Sequence, residues 1–495
     1  MSHQTIPDFL LAAARRLPEK IGLVFQERSY TYREILRRVS ALRASMDGQV
    51  HPGEVVALLL PNGPEFIFGY FGILKAGCTV LLLPANISDE NLQYQMKKTR
   101  ARFIVSSEPY KAKLQRTGLW ERLKHFPVAE ILEGADVSPA SLATPDGIST
   151  IIFTSGTTGE PKGVALRHRH VVAATKNICT YLQFQESDID VNASSLSHSF
   201  GLGHIHCIFS VGGTVHLFRD TIDLRKILRT IVLERATTFG AVPAVLRLLV
   251  QHYPDELRAC DLSLRFIQTN TSPLERSLVE NIISCLPTTD FQYYYGLSEA
   301  SRSTFITLNQ QMERLASVGK PSPNVEVKVI GDSGERVVSG EIGEICLRGA
   351  HVIDSYFENR EASKQIQDGW LHTGDVGFFD EEGYLYCKGR KGEMMNISGE
   401  KVAPEEIEQV VKLVSGVTDA AAIGIPDPVF GEVPKVFVSV EDPAFETQKI
   451  IVACKATLES YKVPRAVEII ETIPRTANGK LCRNALKQRD EEYVG

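Results

Sequence analysis

The sequence predicts an α/β protein: a large N-terminal domain of doubly wound sheets plus a β-rich subdomain, followed by a small α+β C-terminal domain. Three observations point there. At 495 residues the chain exceeds what one hydrophobic core usually organises. Up to Asp290, short β-branched runs alternate with helical patterns. Near Gly389 to Gly392 the pattern changes, and a compact unit follows.

The alternation is clearest early: "GEVVALLLP", "EFIFGYFGILKAG", "CTVLLLPA", "DENLQYQMKKTRA" and "RFIVSS" read strand, helix, strand, helix, strand. Such βαβ units build mostly parallel sheets. Further on, "VEVKVIGDSGERVVSGEIGEICLRG" and "GYLYCKGRKGE" read as short strands joined by glycine-rich turns. In "VAPEEIEQVVKLVSG", Pro404 suits a first helical position and Glu405 and Glu406 suit the positive end of the helix dipole. Ile407, Val410, Val411 and Val414 make one apolar face.

Composition is that of an ordinary globular protein, 43% hydrophobic and 23% charged. With 54 Lys+Arg against 60 Asp+Glu there is no basic excess, which argues against nucleic acid and anionic membranes as partners and for small molecules. The 9 cysteines include no CxxC pair and do not resemble a disulfide framework or a zinc ribbon, so a reducing, cytosolic setting is expected. The N-terminal stretch carries Asp8 in its apolar face and lacks a signal-peptide core, and no run is long enough to span a membrane.

One stretch carries the chemistry. In "TIIFTSGTTGEPKG", a buried-strand signal, Ile151 to Phe153, leads into Thr154, Ser155, Thr157 and Thr158, with Gly156 and Gly159 letting backbone N–H groups approach a ligand. Together with Lys162 these form an anion cradle. Pro161 before the lysine and Gly163 after it break the Walker pattern, which disfavours a P-loop NTPase. A solvent-facing turn collects the same residue types; the preceding strand and the lysine favour phosphate.

That loop, "YYYGLSEA" (Tyr293 to Ala300), "GWLHTGDVG" (Gly369 to Gly377), "GRKGEMMNISGEKVAPEEIE" and "PRTANGK" recur in one order along the whole chain. The set resembles the adenylate-forming ligases: acyl- and aryl-CoA synthetases, luciferases and peptide-synthetase adenylation domains. The resemblance implies an N-terminal domain over 1–389, a hinge at 390–392 and a mobile catalytic lid over 393–495, with the active site between the two domains.

It also implies roles. A carboxylate attacking the α-phosphate of ATP brings two anions together, so positive charge and aligned donors must come first. By resemblance Lys480 bridges the acid and the α-phosphate, and Thr154 to Lys162 hold the outer phosphates. Glu299 ligates Mg²⁺, a hard cation suited to carboxylate oxygen. Asp375 takes the ribose hydroxyls with Arg390 nearby, and Tyr295 flanks the adenine. Gly296 and Ser298 belong to the same nucleotide-binding motif, and His198 sits at the mouth of the acyl pocket. In "TNTSPL", Asn270 and Thr271 depart from the small-residue run the family places beside the adenine and the acyl group. His204, His206 and Cys207 lack the spacing of a metal set and read as core or helix packing.

An acyl-adenylate is destroyed by water, so a lid must exclude solvent and then admit the nucleophile. In the family the segment here containing Ser398, Gly399, Glu400 and Lys401 lines a tunnel for the pantetheine thiol. The expected reaction is therefore activation of a small carboxylic acid by ATP and Mg²⁺, then thioester formation, with CoA as the first acceptor. Gly392 replaces the hinge Asp or Lys of relatives, and this keeps two alternatives in view: a carrier-protein pantetheine or an amine as acceptor. A regulatory nucleotide-binding protein without catalysis is opposed by the joint presence of Lys162, Glu299, Asp375, Arg390 and Lys480.

Overall fold

The computed structural model describes residues 3–128, 140–154, 161–270, 274–397, 400–427, 431–475 and 481–494. The chain forms two compact units: residues 1–327 with 347–371, and residues 328–346 with 372–495.

In the first unit the early runs form the elements their patterns predict: strand Val55–Leu59, helix Pro64–Lys75, strand Thr79–Leu82, helix Asp89–Thr99 and strand Phe103–Ser106. These strands pair in parallel within a six-stranded sheet. The sheet ends in an antiparallel hairpin of β1 (Ile148–Thr154) and β2 (Lys162–Arg167). Leu58, Leu81 and Ile104 are fully buried, as strands covered by helices on both faces require.

A nine-stranded sheet, also mostly parallel, packs within the same unit. Its helices include α1 (His168–Leu182) and α2 (Ser199–Val211), and its antiparallel end holds β3 (Asp290–Leu297) and β4 (Ala300–Thr307). Gly296 is required by this hairpin itself: a Cβ there would lie 2.3 Å from the Arg302 nitrogen.

The second unit contains strand β5 (Trp370–Phe379) from His372 on and its antiparallel partner β6 (Leu385–Arg390), followed by a five-stranded sheet built around Val417–Asp427 and Gly431–Val440. Helix α3 (Pro404–Val411) begins on its proline and buries Ile407 and Val411 completely. Val410 and Val414 pack partly buried against the same core, as their spacing predicts. Helix α4 (Arg483–Val494) closes the chain. Among the described residues no helix is long and apolar enough to cross a membrane, and all nine cysteines are free thiols.

Candidate active site

The β1–β2 hairpin sets Thr154 directly opposite Lys162. The intervening Ser155, Gly156, Thr157, Thr158 and Gly159 lie outside the described residues. Beside β2 runs the segment holding Tyr356, which pairs with Val164 as an isolated antiparallel bridge, and Phe357 donates its N–H to the Gly163 carbonyl at 2.7 Å. Gly163 permits this approach, since a Cβ would sit 3.2 Å from Phe357 Cβ.

Tyr356 links two of the expected residues. The Lys162 ammonium lies 5.9 Å from the centre of its ring, within cation–π range. The Tyr356 hydroxyl donates to Glu299 Oε1 at 2.8 Å and lies 3.1 Å from Gln365 Oε1. Ser298 and Glu299 form the two-residue turn between β3 and β4, so Glu299 is displayed at a strand end on a strand hairpin, with no helix start behind it. The Glu299 carbonyl accepts from the Ile353 N–H at 3.1 Å, which fixes the turn. A half-exposed carboxylate with one oxygen oriented by a phenol suits a hard cation. Tyr356 was not legible beforehand: it lies 57 residues from Glu299 and belongs to no motif.

Other expected residues of the first unit take separate positions. Tyr295 is buried, 1% exposed, on β3. His198 is half-exposed immediately before α2. Asn270 follows the strand Phe266–Thr269, and its buried Oδ1 has no donor among the described residues; Thr271 lies outside them. His204 bonds Asp190 Oδ1 at 3.1 Å and His206 meets the Tyr70 hydroxyl at 3.2 Å, so the two histidines and Cys207 are side chains of the buried face of α2. His168 and His170 begin α1, and both are buried.

In the second unit Asp375 and Arg390 face each other across β5 and β6. Asp375 Oδ1 and Arg390 Nε are 2.8 Å apart. Arg390 also donates to the Thr373 carbonyl at 2.7 Å, and the Asp375 N–H donates to the Thr373 hydroxyl at 3.0 Å. The Asp-Arg pair is thus set by strand register and by Thr373. Ser398, Gly399 and Lys480 lie outside the described residues, and Lys401 is placed only by its backbone, opposite Asn396.

The same unit holds a cluster the sequence did not reveal. Arg483, at the start of α4, donates to Glu393 (2.6 Å), Glu405 (2.8 Å) and Glu408 (2.8 and 3.0 Å). Glu405 therefore turns inward from the first turn of α3, where a dipole role alone had been expected. Burial raises its pKa to about 7, against the lowering pull of Arg483.

The chain matches the AMP-binding enzyme family over residues 10–357 and the AMP-binding enzyme C-terminal domain over residues 406–480. It belongs to that family, and it is an AMP-forming acid–thiol ligase. It is 31% identical to 4-coumarate–CoA ligase-like 9 of Oryza sativa subsp. japonica, over 98% of this chain and 92% of that protein. Its fold resembles the Bacillus subtilis o-succinylbenzoate CoA synthetase in complex with the acyl-adenylate intermediate (TM-score 0.89, 28% identity, 97% of this chain and 98% of that one). The same synthetase in complex with ATP and magnesium ion gives a TM-score of 0.88 at 27% identity, over 97% and 99%.

Proposed function

We propose that the chain joins a small carboxylic acid to AMP and then to the thiol of CoA, with its described polar clusters serving the nucleotide. The observation that carries the residue assignment is the Lys162–Tyr356–Glu299 array at the loop end of the β1–β2 hairpin. In the first step a carboxylate oxygen attacks the α-phosphorus of ATP and pyrophosphate leaves. In the second, a thiolate attacks the acyl carbon and AMP leaves.

Thr154, Lys162 and the 155–159 segment hold the outer phosphates. Glu299, its carboxylate oriented by Tyr356, would hold Mg²⁺, and the ion would supply charge neutralisation on the phosphates. Asp375 accepts from the ribose hydroxyls and Arg390 fixes its carboxylate. Tyr295, Gly296 and Ser298 border the adenine, and Asn270, whose Oδ1 has no donor among the described residues, serves the adenine or the acid together with Thr271. His198 flanks the entry of the acid. Lys480 neutralises the approach of acid to phosphate, with residues 390–392 as the hinge of the C-terminal lid over 393–495. Ser398, Gly399 and Lys401 line the pantetheine path. Free thiols throughout suit a cytosolic enzyme.

Gly392 favours a second reading, in which adenylation is unchanged and the acceptor is a carrier-protein pantetheine or an amine. Acid-dependent pyrophosphate exchange over aliphatic and aryl acids tests the first step. Loss of free CoA thiol, compared with acylation of a holo-carrier protein and of simple amines, tests the second.

A further inference from the structure

Three arginines are buried among the described residues: Arg43, Arg302 and Arg483. Arg43 is paired with Asp47, and Arg483 with three glutamates. Arg302, the most buried at 2% exposure, has no carboxylate within salt-bridge distance among those residues. Its guanidinium reaches the Ser199 carbonyl at 3.5 Å, the Phe200 carbonyl at 3.1 Å and the Ser301 hydroxyl at 3.3 Å, while Nε has no acceptor. The rings of Tyr294 and Phe200 lie against it, 5.0 and 5.4 Å from their centres. A buried guanidinium left with neutral carbonyls and an idle donor is an incomplete ion pair.

The missing partner has a place. Arg302 lines a cavity of about 40 Å³, where a single water needs roughly 10–15 Å³, so a group the size of a carboxylate fits. Ser298, Ser301 and His351 also line it, as do Ser199 and Leu202 in the first turn of α2, whose dipole favours negative charge. Among the described residues no Asp or Glu lines it. Its histidines are neutral at pH 7, because burial lowers His206 to about 3 and His170 and His351 to about 4. Arg302 therefore supplies the cavity's charge. Gly203 makes room for it, since a Cβ there would lie 2.6 Å from Arg302 Nη1. The cavity adjoins the proposed site through Ser298, next to Glu299, and Ser199, next to His198.

We infer that Arg302 is a specificity-determining residue, binding a second carboxylate at the end of the acid remote from the one that is activated. The substrate class is thus dicarboxylic acids, one carboxyl joined to AMP and the other paired with Arg302. This inference rests on the adenylation reading above.

The test is pyrophosphate exchange by the full chain with matched pairs of acids, each monoacid against its analogue carrying a distal carboxylate, in aliphatic and aryl series. Diacids are expected to exceed their monoacids in kcat/KM by about tenfold or more, the range of a hydrogen-bonded charge pair. Arg302→Met is expected to erase the gap by raising KM for diacids, and Arg302→Lys to fall between. Thermal melting checks folding; if Arg302→Met does not fold, the wild-type preference and Arg302→Lys decide. Exchange that is as good or better with monoacids, in wild type and Arg302→Lys alike, overturns this inference alone. Exchange with no acid at all overturns the adenylation reading itself, and this inference with it.

Discussion

The Tyr356 hydroxyl donates to Glu299 Oε1 at 2.8 Å while its ring lies 5.9 Å from the Lys162 ammonium. One side chain outside every motif thus ties Lys162, proposed to hold phosphate, to Glu299, the proposed Mg²⁺ ligand. Tyr356→Phe keeps the ring and removes the donor. The expected outcome is a weaker Mg²⁺ requirement curve, with half-saturation shifted upward about tenfold, and unchanged melting without nucleotide. An unshifted Mg²⁺ titration would remove Tyr356 from the site.

Asp375 and Arg390 are expected to act on the nucleotide and not on stability. Asp375→Asn leaves Arg390 its bond to the Thr373 carbonyl, so the strand pair stays intact. KM for ATP should rise about tenfold or more, from loss of a charge-assisted acceptor. Steady-state kinetics at saturating acid measure this. A normal KM for ATP would dissociate Asp375 from the ribose.

Glu405 gives the second unit a pH signature. Its folded pKa, raised by burial to about 7, exceeds the ordinary carboxylate value. The folded state therefore binds more protons, and its contribution is full below the ordinary value and is lost as pH rises towards 7. Glu405→Gln should flatten the melting curve between pH 5 and pH 8 relative to wild type, by a few degrees. Arg483→Met, which strands Glu405 and Glu408 without their partner, should cost about 3–5 kcal/mol. Calorimetry across this pH range checks both.

Substitutions at Gly392 are expected to separate the two half-reactions. Among the described residues a Cβ there meets nothing within 4 Å, so Gly392→Ala is expected to fold and adenylate normally. Gly392→Pro restricts the backbone at this position. It should retain pyrophosphate exchange and lose thioester formation. Equal loss of both steps would argue against a hinge at 390–392.

The strands and helices of the first unit were legible because their hydrophobic periods are local: "CTVLLLPA" and "DENLQYQMKKTRA" became the strand and helix their spacing implied. The motif residues were legible as residue types in order. What joins them was not. Tyr356 and Glu299 are 57 positions apart, and Arg483 and Glu393 are 90 apart. Both pairs depend on the chain's long-range path, which no periodicity records. Arg302 was equally silent, since a charged residue two places after a motif reads as surface until burial is seen. Likewise Glu405 read as a helix-dipole residue, because the arginine that draws it inward arrives only in α4.

The most direct test of the central claim is acid-dependent exchange of labelled pyrophosphate into ATP by wild type and Lys480→Ala. The account predicts exchange that requires both Mg²⁺ and a carboxylic acid, and that falls to background in Lys480→Ala while the fold persists. Exchange with the wild type that is independent of any acid, or full exchange in Lys480→Ala, would contradict it.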